Sequence, residues 1–426
     1  MKSANPYFIH AADLHLGAPL KSLGKQLSLE AKANLIALVG QAFDNLIELC
    51  LSESAEFLVL SGDIYDGANR EAAAQLKFER GLKRLVDADI KVYIVHGNHD
   101  PLSDDVLNIV RLPEGVHVFK PGDVQVVKHT LRDGTTVSIA GVSYASESES
   151  ENLALRFQSI KRDGARAVIG ILHTNLAGQA GHSNYAPCSK NDLAAAPVDY
   201  WALGHVHKRV IEEMGKNRYW AYPGNLQGRD ADETGSKGAL RVPILATGVG
   251  KPEFVACDVI RFHKIEVDCE SAEDWGFVRD LVRQKISEIQ SDSRPLVVRV
   301  KLSGQTIAHK AIAEVEKSGG AFSDLQVDST DELNGGYIET LTVETSPKVE
   351  FEALISADDL RGDVLRTIKN MTIESLKQLV TAGVLDESLV EVFERVQNEE
   401  SLFESLKVQL TRDALLKLVN DEERIK

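Results

Sequence analysis

Cysteine is scarce in this sequence, which has four cysteines among 426 residues. They are Cys50, Cys188, Cys257 and Cys269, and eleven residues separate the closest two. This spacing excludes a CxxC zinc or redox motif. Scattered single cysteines are typical of reduced, buried thiols in a cytoplasmic protein.

Long apolar runs are also missing, because no run reaches the ~18 residues that a membrane-spanning helix needs. The N-terminal segment lacks the hydrophobic region of a signal peptide. We therefore expect a cytoplasmic protein with no membrane partner.

Basic residues are fewer than acidic ones. The sequence has 48 Lys and Arg and 64 Asp and Glu, which gives a formal net charge of −16. This balance excludes a basic coat for non-specific nucleic-acid binding. It does not exclude a local basic groove, or an anion site whose charge is neutralised by metal ions.

The first 260 residues alternate short apolar runs with helical patterns, which is typical of a layered α/β fold. These runs predict strands at 7–12, 57–61, 92–96, 124–127, 137–142, 167–173, 200–204 and 219–222. The helical patterns predict helices at 29–52, 71–87, 104–112 and 151–161.

The pattern changes near residue 263 to that of a small α+β unit. We predict strands at 263–268, 294–302, 324–328 and 337–343, with helices at 272–291 and 306–317. Apolar residues at helical spacing follow to the end of the sequence. The predicted domains are 1–260 (α/β), 261–345 (α+β) and 346–426 (helical).

Five short motifs follow predicted strands, where ligand sites of layered α/β folds collect. Each is a weak signal alone, and a lone histidine is more often a core residue than a ligand. Five in order at strand ends indicate one shared site. The motifs are Asp13-Leu14-His15, Gly62-Asp63-Ile64-Tyr65-Asp66, Gly97-Asn98-His99-Asp100, His173 and Gly204-His205-Val206-His207.

The side chains of these motifs are carboxylates, imidazoles and one carboxamide, without a thiolate. Such a set favours Mn²⁺, Fe or Zn²⁺, and its oxygen content favours Mn²⁺. The ligands are too many for one ion. Two ions about 3.5–4 Å apart, bridged by a carboxylate, would use them all and suit attack on phosphorus. Asp63, which follows Gly62, is the natural candidate for the bridge.

The order of the five motifs resembles that of the calcineurin-like metallophosphoesterase superfamily, over about the first 225 residues. Their spacing resembles the SbcD-type nucleases of double-strand-break repair. The segments HGNHDP (96–101) and YPGNLQGRDADETGSKG (222–238) resemble the YhaO-type bacterial branch. The resemblance implies a four-layer α-β-β-α sandwich, followed by a small α+β capping domain and a helical C-terminal region.

The resemblance also implies an assignment of the site. One metal ion would bind Asp13, His15, Asp63 and His207, and the other would bind Asp63, Asn98, His173 and His205. The ions would be Mn²⁺, with Fe, Zn²⁺ and Mg²⁺ as alternatives. His99 matches the catalytic histidine that stabilises or protonates the leaving oxygen, and Asp100 would orient it. Asp66 stands where archaeal and eukaryotic relatives have a histidine.

Four further residues are candidates for substrate contact. Arg229 and Lys237 would contact substrate phosphates, with a solvated hairpin as the alternative for their segment. Tyr65 and Asn69 would line the substrate cleft, although a helix start is an equally good interpretation.

The function implied is a DNA exonuclease or endonuclease, nucleoid-associated and able to form a homodimer. Its helical region would dock an SbcC-type coiled-coil ATPase, or else pack on its own chain. The alternative is a phosphodiesterase or phosphatase acting on small nucleotides or phosphoproteins. A non-catalytic adaptor is a poor third, because every ligand position is filled.

Overall fold

The fold is described from a computed structural model of the 426-residue chain. The model describes residues 5–18, 20, 27–66, 72–102, 110–176 and 185–348, and beyond them 355, 356, 358–372, 374, 375, 378, 403, 404 and 407. The chain forms two compact units. One comprises 1–267, 276–302 and 314–344, and the other 268–275, 303–313 and 345–426.

Two six-stranded sheets form the centre of the first unit. In the first sheet four strands are parallel, and two antiparallel strands extend one edge. Its strands, in spatial order, are β12 (Glu253–Ala256), β11 (Gly238–Pro243), β1 (Tyr7–Ala11), β2 (Phe57–Ser61), β3 (Lys91–Val95) and β4 (Val116–Val118).

The second sheet has four parallel strands with an antiparallel strand on each edge. Its strands, in spatial order, are β5 (Gln125–Thr130), β6 (Thr136–Gly141), β7 (Val168–His173), β8 (Tyr200–Gly204), β10 (Arg218–Tyr222) and β9 (Val210–Gly215).

The two sheets pack face to face, and helices cover their outer faces. Phe57 and Val59 of β2 point into the core between the sheets, where Ile169 and Tyr200 of the second sheet also lie. The alternate residues of β2 pack outward instead. Burial on both faces explains why this strand reads as a continuous apolar run. The resulting α-β-β-α sandwich confirms the predicted fold class.

Helices α2 (Gln41–Ser52) and α3 (Ala72–Asp87) pack on the first sheet. Helix α1 (Leu29–Val39) packs instead with Ile260, Phe262 and Val297. A 3₁₀ turn at 153–159 and the short helix α4 (Lys190–Ala195) pack on the second sheet. The single predicted helix 29–52 is wrong, because Gly40 separates α1 from α2. Most of the predicted helix 104–112 lies outside the described residues.

The α+β region contains a three-stranded sheet of β13 (Arg261–Asp268), β14 (Leu296–Thr306) and β15 (Tyr337–Pro347). Its helices are α5 (Trp275–Ser287), α6 (His309–Lys317) and α7 (Gly320–Asp328). The predicted strand 324–328 is wrong, because these residues form the last turns of α7. Leu325 is the buried residue of this segment, with Ala321 one turn before it, a helical spacing.

The second unit contains one further helix among its described residues, α8 (Leu360–Lys369), whose N-cap Asp359 accepts a hydrogen bond from Gly362. Most of the predicted helical pattern of 346–426 lies outside the described residues, and the predicted domain boundaries remain predictions. Within the described part of the chain, every helix is too short or too polar to cross a membrane.

Candidate metal centre

The seven predicted ligands lie just beyond the carboxyl ends of five parallel strands, two of which belong to the second sheet. Asp13 and His15 follow β1, Asp63 follows β2 and Asn98 follows β3. His173 ends β7, and the pair His205 and His207 follows β8. The site therefore draws side chains from both sheets of the sandwich.

The backbone at the site is strained. Asp13, His15, Asp63 and His205 have positive φ angles of 51°, 45°, 51° and 106°. Residues other than glycine rarely adopt such angles, and they cluster at functional sites. Hydrogen bonds from the Asp13 and His15 amides to the carbonyls of Gly62 and Asp63 hold the first two loops together.

Close packing explains two of the motif glycines. A Cβ added to Gly97 would lie 2.4 Å from Oδ1 of Asp63, and one added to Gly204 would lie 1.9 Å from the Ser61 carbonyl oxygen. Neither position has room for a side chain, so these motifs need glycine for space.

One group of ligand atoms combines Asp13, His15 and His207, whose donor atoms lie within 4.8 Å of one another. Nε2 of His15 lies 3.1 Å from Nε2 of His207. Oδ2 of Asp63 lies 3.9 Å from the same His15 nitrogen. This is the set of four residues that the resemblance implies for one ion.

A second group surrounds the other side of Asp63. Nε2 of His173 lies 3.5 Å from Oδ2 of Asp63 and 3.0 Å from Oδ1 of Asn98. Nδ1 of His205 lies 3.3 Å from the same Asn98 oxygen. Oδ2 of Asp63 thus faces both groups, as a bridging ligand must.

The electrostatics of the site fit divalent cations. Burial, reinforced by the charge of Asp100, raises the pKa of Asp63 to about 7. Burial and the charge of Asp63 raise the pKa of Asp13 well above its ordinary value. Burial also lowers the pKa of His15 to about 3 and that of His173 to about 4, so both imidazoles are neutral. Neutral imidazoles and desolvated carboxylates form a site that a cation stabilises.

Comparisons with known proteins place this geometry in a family. Residues 6–209 match the family model "Calcineurin-like phosphoesterase", and residues 262–346 match "Metallophosphoesterase YhaO, middle domain". The "Uncharacterized metallophosphoesterase YhaO" of Bacillus subtilis (strain 168) is 35% identical over 301 residues, covering 70% of this chain and 71% of that protein.

The chain belongs to the calcineurin-like metallophosphoesterase family.

Archaeal members are more distant. The "DNA double-strand break repair protein Mre11" of Aeropyrum pernix is 25% identical over 338 residues, 74% of this chain and 78% of that protein. The protein of the same description from Archaeoglobus fulgidus is 24% identical over 357 residues, 75% of this chain and 73% of that protein. These findings confirm the predicted family and the likeness to its YhaO branch. The metallophosphoesterase is thus a phosphoester hydrolase of a family with a dinuclear divalent metal site.

His99 of the metallophosphoesterase lies beside the ligands and contacts a carboxylate. Its Nδ1 is 2.8 Å from Oδ1 of Asp66. This contact with the carboxylate, opposed by partial burial, raises the pKa of His99 above its ordinary value. The same Asp66 oxygen lies 3.3 Å from Nδ1 of His15. The contacts with these two histidines hold the pKa of Asp66 far below its usual range.

The contact of Asp66 with His99 corrects one expectation. Asp100 was expected to orient His99, but its carboxylate accepts hydrogen bonds from the backbone amides of Asp63, Ile64 and Gly97. It also lies 2.9 Å from Nδ1 of His96. Asp100 therefore holds together the backbones of the two loops that follow β2 and β3.

Arg229 and Lys237 both lie near the site but differ in their partners. Arg229 is 3% exposed, and its Nη1 lies 3.6 Å from Oδ2 of Asp66. Among the described residues, Nε and Nη1 of Arg229 find no hydrogen-bond partner. Lys237 instead donates from Nζ to the carbonyl of His207, at 3.1 Å. The expected phosphate contact therefore remains a prediction for Arg229, whereas Lys237 is engaged with the protein.

The two remaining substrate candidates are not brought to the site. Tyr65 is 4% exposed and packs edge-on against Phe78, with ring centroids 5.7 Å apart, in the cluster beneath α2 and α3. The expectation that Tyr65 lines the cleft is wrong, because its ring is a core residue. Asn69 lies outside the described residues.

One residue near the centre escaped the sequence argument. Glu233, in the glycine-rich segment for which a solvated hairpin was the alternative interpretation, lies 2.6 Å from Nδ1 of His207. The only signal in the sequence was a carboxylate in a segment that also carries Arg229 and Lys237. Burial raises its pKa, but the hydrogen bond and charge of His207 prevail, and the pKa falls to about 2.

Proposed function

We propose that this metallophosphoesterase is a Mn²⁺-dependent nuclease that hydrolyses phosphodiester bonds in DNA. One observation carries the choice of DNA. The similarity to the archaeal break-repair protein runs over 338 residues, well beyond the catalytic match at 6–209. A hydrolase of small nucleotides or phosphoproteins would need no such additional region.

The donor set supports two ions of one kind. Asp13, His15, Asp63 and His207 would hold one ion, and Asp63, Asn98, His173 and His205 the other. Imidazole combined with carboxylate and carboxamide oxygen suits Mn²⁺, with Fe, Zn²⁺ and Mg²⁺ as alternatives. When bound, two divalent ions offset the charge of a phosphodiester and lower the pKa of a coordinated water.

His99 supplies the proton for the leaving group. The carboxylate of Asp66, 2.8 Å from Nδ1, stabilises the imidazolium, and Nε2 on the opposite side of the ring is then the proton donor. The side chain of His99 is 38% exposed, so a substrate can reach it. Its raised pKa keeps the acid protonated at higher pH than an isolated histidine.

Arg229 would stabilise the substrate phosphate. Its buried guanidinium carries polar hydrogens without partners among the described residues, and it lies on the Asp66 side of the site. A non-bridging phosphate oxygen would accept charge-assisted hydrogen bonds from it. This places positive charge at the reacting group of a protein whose net charge is −16.

The test is a Mn²⁺-dependent cleavage assay on end-labelled DNA, run beside bis(p-nitrophenyl) phosphate. We expect cleavage of both substrates by the wild type and of neither by His99→Ala. If the enzyme hydrolyses the small diester but does not cleave DNA, the nuclease proposal is refuted and a hydrolase of small nucleotides is favoured. Repeating the assay with Fe²⁺, Zn²⁺ and Mg²⁺ tests the choice of metal.

We further propose that residues 346–426 bind an SbcC-type coiled-coil ATPase, and that the protein forms a homodimer. The support is the layout of the chain, in which this region follows the family's middle domain. The chain 1–345 should hydrolyse the small diester like the full chain, but should lose ATP-stimulated DNA cleavage. Equal pull-down of the ATPase by both chains would contradict the partner proposal, and a monomeric mass in light scattering would contradict the dimer.

A further inference from the structure

The glycine-rich segment 223–238 holds the imidazole of His207 from the side away from the other ligands. Nδ1 of His207 lies 2.6 Å from Oε1 of Glu233, while Nε2 faces Nε2 of His15 at 3.1 Å. An ionised carboxylate only accepts hydrogen bonds, so Nδ1 carries the proton and Nε2 carries the lone pair. Glu233 thereby selects the tautomer that a metal ligand needs.

Glu233 is itself held in place. Its Oε2 accepts hydrogen bonds from Nδ2 of Asn225 at 2.8 Å and from the amide of Arg229 at 2.7 Å. These contacts leave Oε1 for His207 and fix its direction. The carboxylate side chain is 18% exposed, so water screens the interaction only in part.

The main chain of His207 is fastened to the same segment. Its carbonyl accepts hydrogen bonds from Nζ of Lys237 at 3.1 Å and from the amide of Asn225 at 3.4 Å. Both the ring and the backbone of His207 are therefore fixed by residues that lie 18 to 30 positions later in the sequence, namely Asn225, Glu233 and Lys237. Hydrogen bonds within the protein therefore position this side chain.

The other imidazoles differ in what supports them. Nδ1 of His15 faces the carboxylate of Asp66 at 3.3 Å, whereas Nδ1 of His173 bonds the neutral carbonyl of Ser61 at 2.9 Å. An imidazole whose N–H group bonds a carboxylate donates its lone pair to a metal ion more strongly than one whose N–H group bonds a carbonyl. The group of Asp13, His15 and His207 thus has in His207 an imidazole strengthened by a carboxylate hydrogen bond, while Nδ1 of His15 finds no hydrogen-bond partner among the described residues. The group of His173 has a carbonyl-supported imidazole beside the neutral amide of Asn98.

We propose that Glu233 is a positioning residue that orients His207 and makes the Asp13–His15–His207 position the tighter of the two metal positions. This inference rests on the proposed dinuclear centre. It does not depend on which phosphodiester the enzyme cleaves, because metal binding is measured without substrate.

The test is a Mn²⁺ titration of the metal-free full chain, with free Mn²⁺ measured by electron paramagnetic resonance. The wild type should show one tight and one weak class of site. Glu233→Gln keeps the shape and an acceptor oxygen but removes the charge, and it should weaken the tight class about 10- to 100-fold. The weak class should change less than threefold.

A matched control is Asp232→Asn. Asp232 is the adjacent carboxylate, but it is exposed and pairs with Lys264 instead of a ligand. This variant should leave both classes unchanged. Thermal unfolding of the metal-free variants separates a folding defect from a local one. Glu233→Gln should still unfold in one cooperative transition, at a somewhat lower temperature than the wild type, because the carboxylate that it replaces accepts three hydrogen bonds.

The assignment of the tight class is tested by removing ligands. His207→Ala should eliminate the tight class, and His173→Ala the weak one. Loss of the tight class in His173→Ala would overturn the inference, as would unchanged tight binding in Glu233→Gln or equal weakening of both classes. If the wild-type protein binds two Mn²⁺ ions but does not cleave DNA, the nuclease proposal fails while the proposed role of Glu233 is unaffected. If it binds fewer than two, the dinuclear centre fails.

Discussion

Asp63 should destabilise the metal-free protein above neutral pH, and replacing it by asparagine should reveal this. Its side chain is 2% exposed, and its pKa rises from 3.8 to about 7 on folding. A carboxyl group with a raised pKa binds its proton more tightly in the folded state. The free energy of unfolding therefore decreases as the pH rises from about 4 to about 7, and the whole contribution is lost above that range.

The size of the effect follows from this difference in pKa. The interval between 3.8 and about 7 corresponds to about 4 kcal/mol, at about 1.36 kcal/mol per pKa unit. Asparagine has the same shape and does not ionise. Metal-free Asp63→Asn should therefore be more stable than the wild type at pH 8 by up to about 4 kcal/mol, or roughly 5 °C in Tm. At pH 5 the difference should fall to about 2 kcal/mol, because the carboxyl group of the unfolded chain is already ionised there.

Thermal unfolding followed by circular dichroism, after chelator treatment and at several pH values, measures this difference. Adding Mn²⁺ at pH 8 should reverse the order, because the wild type gains the free energy of metal binding and the variant lacks its bridging carboxylate. Asp232→Asn, which alters an exposed carboxylate, should follow the wild type throughout. The reasoning is refuted if the difference in Tm between metal-free wild type and Asp63→Asn stays constant from pH 5 to pH 8.

Three further outcomes are expected. His99→Ala should abolish hydrolysis of both test substrates yet retain two Mn²⁺ per chain by elemental analysis; loss of an ion would make His99 a ligand. Asp66→Asn should move the alkaline limb of the kcat profile to lower pH, because His99 loses the partner that raises its pKa; an unmoved limb would contradict His99 as the acid. Gly97→Ala should lose bound Mn²⁺, since the new Cβ would lie 2.4 Å from Asp63, whereas Gly40→Ala, with its nearest neighbour at 3.7 Å, should keep it.

Sequence patterns located the strands well because these strands are buried on both faces. The run 57–61 was predicted with the bounds that β2 has, and 200–204 with those of β8. Weaker patterns failed. The helix 29–52 conceals a break that only Gly40 signals, and the segment 324–328 is too short for its apolar spacing to distinguish a strand from the end of a helix.

The gathering of the predicted ligands in one place was foreseeable, because parallel strands bring their carboxyl ends to one edge, so residues at strand ends meet whatever their distance in sequence. The contacts that orient them were not. Whether Asp66 or Asp100 reaches His99 depends on how two loops fold over one another, and no periodicity encodes it. The approach of Glu233 to His207 likewise depends on the path of a glycine-rich segment.

The division of the ligands between two sheets has a consequence for how the protein assembles. Asp13, Asp63 and Asn98 come from the first sheet, and the histidines at 173, 205 and 207 come from the second. Neither sheet alone carries a complete set, and the ligands span the chain from residue 13 to residue 207. Long-range contacts of this kind form late in folding, because distant segments must first meet. If these residues bind the metal ions as proposed, ion binding would follow the closing of the sandwich, and a partly folded chain would hold no complete metal centre.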